Sequence, residues 1–285
     1  MKPLNALSVL LLCSLPLLTA CDAVSNEPPD IQILRESRPL ADAKQLAVSL
    51  KFDVGQLEIT KTADDQLFVF DLEYDRRRHD PKFSFTSGDR ASMRLEMDTH
   101  QGFNTGGGHE NDLTLRLTDK IPLDLDVATG VSESRLEMTG LQIQRMRLRG
   151  GVGKTEVSFD KPSQQALESL EAESGVGELI IHGLGNARVG RVDVKGGIGH
   201  TELDLTGELG STRTDVSIKV GVGEIKITIP RDADVEIEAE GSFLSNISAP
   251  SFERNGRNYT HRGDGGAKIH INVQSGVGGV EVELI

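Results

Sequence analysis

Tryptophan is absent from this sequence of 285 residues, and aromatic residues make up only 4% of it. Large aromatic side chains usually anchor globular cores and line carbohydrate clefts, so small aliphatic residues must do most of the packing here. Positive charge is also scarce, because 31 Lys and Arg face 44 Asp and Glu to give a net charge of -13. That balance opposes binding to phosphate backbones and excludes nucleic acid as an expected partner.

Cysteine occurs only twice, at Cys13 and Cys21, and both positions lie near the N-terminus. Residues 6–18 form an apolar run that is too short to span a bilayer but typical of a signal peptide. The run ends in Leu18-Thr-Ala-Cys21, which resembles the lipobox of bacterial lipoproteins, whose cysteine is acylated and becomes the first mature residue. We therefore expect a lipoprotein signal peptide over 1–20 and a lipid on Cys21; the alternative is an ordinary signal peptide beside an incidental cysteine.

A lipid at this position has consequences for the rest of the chain. Loss of Cys13 with the signal peptide would leave no thiol for a disulfide, a metal site or catalysis. The acyl chains would hold the protein on a membrane, facing the periplasm or the exterior. Residues 21–45 are polar and interrupted by prolines, so they predict a flexible tether.

Glycine is abundant, with 31 residues, and much of it lies in a repeated Gly-Val-Gly or Gly-Ile-Gly unit. The complete copies carry Gly151 and Gly153, Gly175 and Gly177, Gly197 and Gly199, Gly221 and Gly223, and Gly276 and Gly278. Two degenerate copies have Asp53 or Ser132 in a glycine position. Successive copies between Gly130 and Gly221 start 21 to 24 residues apart, a period typical of solenoids.

Apolar and polar residues alternate on both sides of each glycine pair, and this period of two predicts half-buried strands. The alternation changes phase at the glycines, where Val or Ile always stands between them. We expect the chain to bulge or turn a corner there, with this Val or Ile kept in the core. The prediction is an all-β, single-domain parallel β-solenoid over residues 46–285, with insertions near 74–110 and 231–266.

Ligand-binding interpretations of the glycines fit less well. A dinucleotide fingerprint requires a third glycine that no copy has, and only Gly153-Lys-Thr155 approaches a phosphate-binding loop. The glycine-rich calcium repeat requires an Asp after its glycine pair and a shorter period. The glycines are therefore predicted to be structural, and no cofactor is expected.

The chain carries serial Gly-Val-Gly-x-Leu/Ile-x-Ile units, one of which ends in Thr228-Ile-Pro230. It also carries an Asn-Asp-Leu-Thr-Leu-Arg-Leu segment over 111–117 that leads to Leu123-Asp-Leu-Asp-Val127. On these features the chain resembles bacterial cell-surface domains called toast-rack or adhesin-type domains, which are related to the C-terminal domain of LiaF-like cell-envelope stress proteins. The resemblance covers about residues 37–285. It implies a parallel β-solenoid exposed outside the cell, and it offers no catalytic residues to carry over.

Side chains with catalytic or metal-binding chemistry are scattered. The seven histidines, at 79, 100, 109, 182, 200, 261 and 270, have no metal-ligand spacing, and no Gly-x-Ser-x-Gly nucleophile motif occurs. We place His182 and His200 on a solvated strand face rather than at a metal. No catalytic or metal-binding residue is predicted.

Three groups of charged residues are candidate contacts. An outward row of glutamates could attract divalent cations, although its interruptions by other residues favour a solvated face. Arginines on one strand, and others over 76–78, could meet anionic polymers or lipids, although charge balance is the favoured interpretation. The glutamate row is Glu58, Glu156, Glu202 and Glu281, interrupted by Arg135, Ile180 and Lys226, and the arginines of one strand are Arg145, Arg147 and Arg149.

These observations predict a non-enzymatic lipoprotein that binds or senses an envelope protein or polymer. The two insertions are the preferred contact regions, with simple capping hairpins as the alternative. The last repeat ends at the chain terminus, so it should need a cap from elsewhere or a partner protein. The competing functions are a structural adhesin or scaffold and, less favoured, a carbohydrate-active β-helix enzyme, which needs a close carboxylate pair in a groove.

Overall fold

The structure is a computed structural model that describes residues 28–99, 111–210, 213–241 and 245–285. These residues form sixteen strands and one short helix, α1 (Leu184–Ala187). The strands are β1 (Ile31–Pro39), β2 (Gln45–Lys61), β3 (Gln66–Asp75), β4 (His79–Thr86), β5 (Arg90–Thr99), β6 (Asp112–Leu117), β7 (Leu123–Glu137), β8 (Ile143–Ser158), β9 (Ser169–His182), β10 (Arg191–Asp204), β11 (Arg213–Ile229), β12 (Asp234–Gly241), β13 (Ser245–Ser248), β14 (Glu253–Asn255), β15 (Asn258–His261) and β16 (Lys268–Leu284).

Seven long strands that contain the repeated unit stack side by side in the order β2-β7-β8-β9-β10-β11-β16. Every neighbouring pair in this series is parallel, and like positions of successive repeats lie opposite one another. Gly177 of β9, for example, pairs with Gly153 of β8 and with Gly199 of β10. The predicted parallel β-solenoid is therefore confirmed, and each repeat forms one rung of the stack.

Each rung bends at its glycines and buries alternate residues of both strand halves. In β10, Val192 and Val194 are buried before the bend, and Thr201 and Leu203 are buried after it. The connection that follows adds the buried Leu205 and Leu209 to the same core. Aliphatic packing between two strand halves and a short return segment thus replaces the missing large aromatics.

The N-terminal end of the stack is covered by antiparallel strands. β3 pairs with both β1 and β6, and β4 pairs with β5, which runs parallel to the first half of β2. Phe68 and Phe70 meet Phe83 and Phe85 here with edge-to-face ring separations of 5.1 to 6.1 Å. The scarce aromatic residues are thus concentrated where a flat end, rather than a stacked rung, must be sealed.

The predicted tether over 21–45 is wrong for residues 31–39. These residues form β1, which pairs along its length with β3 and places Leu34 against the core. The strand is stabilised by pairing with residues 27 to 44 positions further along the chain, so the polar composition of the segment did not indicate it. Residues 1–27, which include the expected signal peptide and Cys21, lie outside the described residues.

The C-terminal end is capped by the chain itself. β16 lies between β11 and β12, with β13 alongside its second half. Strands β12, β15 and β14 continue the sheet in antiparallel order, so the insertion near 231–266 covers the last rung. The interruption of the repeat before Gly276 is explained in the same way, because the chain forms its cap before it returns to add the final rung.

Candidate interaction surface

The glycine pairs occupy a corner where successive rungs approach closely. A Cβ atom on Gly197, the first glycine of its pair, would lie 2.2 Å from the carbonyl oxygen of Gly175. The second glycine, Gly199, has a φ of 142°, and its Cβ would lie 1.9 Å from the carbonyl oxygen of Gly177. Real Cβ atoms do not tolerate such distances, and side-chain residues rarely adopt such a φ. The corner therefore has both a steric and a conformational reason for glycine.

Asp53 and Ser132 show how two rungs depart from this pattern. Asp53 takes the place of the first glycine in β2, the first strand of the stack. Its carboxylate accepts hydrogen bonds from the backbone nitrogen and the hydroxyl of Thr99 at 3.2 and 3.3 Å. Ser132 replaces the second glycine of its pair. Its backbone does not have the positive φ of the equivalent glycines, and its side chain is buried. Its hydroxyl lies 3.0 Å from that of Ser134, so the two buried hydroxyls satisfy each other.

The residue between the glycines is exposed, so the prediction that it stays in the core is wrong. The core lies on the inner side of the bend. A residue at the apex of the bend therefore points outward, away from the core. Six of these side chains are 37% to 57% exposed, and we call them the apex ridge: Val131, Val152, Val176, Ile198, Val222 and Val277. They pair in register from rung to rung. At about 4.8 Å per rung, the apex ridge extends for about 24 Å.

Charged columns lie on each side of the apex ridge. The column two residues before the first glycine, here called the first flank, has the charged members Lys51, Arg149, Glu173, Lys195 and Lys219. The column just after the second glycine, here called the second flank, has the charged members Glu133, Lys154, Glu178 and Glu224, together with His200. The first flank is therefore mainly basic and the second mainly acidic.

The predicted glutamate row forms a column of mixed charge. Arg135 lies between Glu58 and Glu156, and Lys226 lies between Glu202 and Glu281. Lys154 hydrogen bonds to Glu156 and lowers the pKa of that carboxyl, with an ion-pair distance of 3.0 Å. Within the described ranges no group of three or more His, Cys, Asp or Glu side chains is arranged to hold a metal ion.

The arginines of β8 each face a carboxylate of a neighbouring rung. Arg147 lies 2.9 Å from Glu171 and lowers the pKa of that carboxyl, while Arg149 lies 2.7 Å from Asp126. Arg145 pairs with Asp124 in the same way. Outside β8, Arg76 lies 2.8 Å from Asp30. These pairs support charge balance over recognition of an anionic polymer.

The histidines occupy separate environments. His182 and His200 are partly exposed and lie 3.9 and 3.6 Å from Glu156 and Glu202. His79 is buried and lies 3.1 Å from the Asn111 side chain, whose Nδ2 donates to the Val54 carbonyl oxygen at 2.9 Å. Sequence reasoning missed this buried network, which joins the first corner to the N-terminal cap. His100 and His109 lie outside the described residues.

The preferred contact regions contain mostly capping strands. The region near 74–110 contributes β4 and β5, and the region near 231–266 contributes β12 to β15. Residues 100–110 and 242–244 lie outside the described part of the chain. Across the part that the structure describes, no helix is both long enough and apolar enough to cross a membrane.

Comparison with known proteins finds one matching family profile and several solved structures of limited similarity. A family profile described as the N-terminal domain of toast_rack, DUF2154, matches residues 24–182. A candidate cell adhesion protein from Clostridium sporogenes is 17% identical, with 90% of this chain and 100% of that chain covered and a TM-score of 0.44. A candidate adhesin from Bacteroides fragilis is 12% identical, with the same coverage and a TM-score of 0.42. A search of curated proteins finds no match.

Proposed function

This chain belongs to the toast-rack family, and we propose that it is a non-enzymatic binding module of the cell envelope, held at a membrane by a lipid on Cys21. The observation that carries the proposal is the exposed, in-register surface along the corner. There an apolar ridge runs between charged flanks for the length of the stack. Such a surface suits contact with a macromolecule better than enclosure of a small substrate.

The N-terminal sequence supports anchoring next to the capped end of the stack. Cys21 precedes the first residue of β1 by ten positions, and β1 lies at one extreme of the sheet order. A coil of about ten residues has an average reach on the order of 17 Å. A lipid on Cys21 would therefore hold the N-terminal cap close to the bilayer.

The charged rows favour binding over hydrolysis. A glycoside hydrolase needs two carboxyl groups flanking a substrate at a fixed separation. The outward glutamates instead alternate with Arg135 and Lys226 along their column. We assign these rows to surface solubility, and we assign contact with an envelope protein or polymer to the apex ridge and its flanks.

The anchor is tested by expressing the full chain in a bacterium fed a clickable fatty acid. We expect the parent chain to incorporate label and to sediment with membranes. The Cys21→Ser variant should lose both properties, while Cys13→Ser, altered within the expected signal peptide, should keep both. Label on Cys21→Ser, or an unlabelled parent chain, would contradict the anchor.

The location and binding activity are tested on the same cells. Protease added to spheroplasts should degrade the parent chain while a cytoplasmic marker survives. A photo-crosslinking residue at Val176 should capture an envelope component, whereas one at Ser158, on the outward face away from the apex ridge, should not. Protection from protease would refute the location, and equal capture at both positions would refute a specific binding surface.

A further inference from the structure

His79 is a buried histidine at the start of β4, with 6% of its surface exposed. It lies where the first corner of the stack meets the N-terminal cap, which consists of β1 and β3 to β6. Burial disfavours the charged form of a histidine ring. The hydrogen bonds of its neighbour Asn111 show where the proton of this ring must lie.

Two backbone groups fix the orientation of the Asn111 side-chain amide. Its Oδ1 accepts a hydrogen bond from the Asp75 backbone nitrogen at 3.3 Å, and its Nδ2 donates to the Val54 carbonyl oxygen at 2.9 Å. A rotated amide would oppose oxygen to oxygen and N–H to N–H, and it would lose both bonds. Asn111 is itself buried, so each lost bond would leave an unsatisfied polar group.

The fixed amide determines the protonation state of His79. Nδ2 of Asn111 lies 3.1 Å from Nε2 of His79, and an amide nitrogen can only donate. Nε2 must therefore accept, so the ring is neutral and carries its proton on Nδ1. Nδ1 lies 3.3 Å from the Thr99 hydroxyl, which in turn lies 3.3 Å from the Asp53 carboxylate. All the donors then point in one direction, from Asn111 towards Asp53.

We propose that this network is a pH-sensitive latch between the first corner and the N-terminal cap, closed while His79 is neutral and opened when it gains a proton. A proton on Nε2 would face the N–H groups of Asn111, which places donor against donor. Relief requires the ring to leave the network, or the amide to rotate and break its bonds to Val54 and Asp75. Either response weakens the attachment of the cap to the stack, because β4 and β3 belong to the cap and Val54 to β2.

Charged residues around the network do not cancel this effect. On the surrounding elements, those that adjoin it are Asp53 on β2, Asp75 on β3, Arg77 and Arg78 in the turn, Asp80 on β4, Asp98 on β5 and Asp112 on β6. Asp75 lies 3.4 Å from Arg78 and accepts two backbone hydrogen bonds, while Asp53 lies 3.8 Å from Lys51. These partners reduce the attraction of either carboxylate for a proton on the ring. Asp80 and Asp112 are exposed, so solvent screens them.

The direction of the pH dependence follows from linkage. The folded chain binds a proton on His79 less readily than the unfolded chain, in which a histidine titrates near pH 6.5. The stabilising contribution of the latch is therefore present above about pH 6.5 and is lost as the pH falls through the lower, folded value. The pKa of Asp98 is about 2, so the titration of that cap residue lies outside this window.

The latch goes beyond the proposed function, because it needs neither a lipid on Cys21 nor a bound partner. In an extracytoplasmic location it would respond to the pH outside the cytoplasm. The two proposals can fail separately. A chain without lipid can still show the latch, and a lipid-labelled chain without pH-dependent opening would leave the anchor standing.

The proton on His79 is observed by nitrogen NMR of the full chain, labelled with 15N-histidine and held in detergent micelles. The His79→Gln variant identifies its signals. At about pH 7.5 we expect the signals of a neutral ring with an unprotonated Nε2, and a titration midpoint below about 6.5. A proton on Nε2 at that pH, or a midpoint at or above about 6.5, would overturn the proposal.

A second variant tests the role of the amide. Asn111→Asp replaces the Nδ2 donor with a carboxylate oxygen, which attracts a proton on Nε2 instead of opposing it. The titration midpoint of His79 should therefore be higher in this variant than in the parent chain. An equal or lower midpoint would show that the Asn111 amide does not control the ring.

Opening of the cap is measured by hydrogen exchange of the same chain between about pH 7.5 and 5, corrected for the intrinsic effect of pH on exchange. Peptides from β4 and β6 should lose protection several-fold and reversibly as the pH falls, while β10 stays protected. His79→Gln keeps an acceptor for Asn111 but does not titrate, so its cap should stay closed. His270→Gln, at a partly exposed position on β16, is the matched control and should open like the parent. A parent cap that stays closed, or equal opening in His79→Gln, would refute the latch.

Discussion

Gly199 lies beside Gly177 in the stack, so close that a Cβ on Gly199 would stand 1.9 Å from the Gly177 carbonyl oxygen. Rungs can pair at the corner only because neither residue carries a side chain. We expect Gly199→Ala to lower the free energy of unfolding by about 3 kcal/mol or more, because it adds a backbone clash to an unfavourable φ. Chemical denaturation of the purified chain measures the change.

Gly88 is the matched control for that substitution. It has a φ of 126°, close to that of Gly199, yet a Cβ there would meet nothing within 4 Å. Gly88→Ala should therefore lower the free energy of unfolding by only about 1 to 2 kcal/mol, the cost of placing alanine at an unfavourable φ. Equal losses in the two variants would show that contact between rungs contributes nothing at the corner.

Val220 and Val222 lie two residues apart on β11 but face opposite environments, with exposures of 5% and 44%. We expect Val220→Ala to destabilise the protein by about 2 kcal/mol through lost packing. Val222→Ala should change stability by less than about 0.5 kcal/mol, because its side chain lies on the apex ridge. Denaturant midpoints of the two variants, measured side by side, check the outward direction of the apex. Similar losses of stability in the two variants would show that the apex residue packs in the core.

The sequence predicted the features that depend on local periodicity. Alternation around Val192 and Leu203 indicated strands, and the recurrence of their glycines indicated how those strands stack. The outward orientation of the Ile198 side chain was not predicted. The alternation of apolar and polar residues shifts by one position at the glycines, but this shift does not indicate whether the extra residue points into the core or into solvent. β1 and the Asn111 network were missed because both depend on contacts across long stretches of chain.

Asp98 provides a pH-dependent test of the N-terminal cap. Hydrogen bonds from Lys82 at 2.9 Å and Lys51 at 3.0 Å lower the pKa of Asp98 to about 2. A depressed pKa in the folded state gives stability that is present above the ordinary value of 3.8 and lost as pH falls through about 2. We expect the Asp98 carboxyl signal in NMR spectra to titrate near pH 2.

Variants at the same site separate this effect from general acid unfolding. Lys82→Met should raise the pKa of Asp98, because the Lys82 hydrogen bond is its largest cause of depression. Asp98→Asn should flatten the dependence of stability on pH over this acidic range. An unchanged titration in Lys82→Met would show that the two side chains do not interact in solution.

The position of β16 predicts an unusual sensitivity to C-terminal truncation. This strand comes last in the chain but lies inside the sheet, paired with β11 on one side and with β12 on the other. A chain ending at Gly266 leaves both neighbours with open edges and uncovers buried residues such as Ile225. We expect aggregation and rapid proteolysis, measured by size-exclusion chromatography and trypsin digestion. Removal of Ile285 alone keeps β16 whole and should leave a protease-resistant protein, so resistance of the longer truncation as well would show that the inserted strand is dispensable.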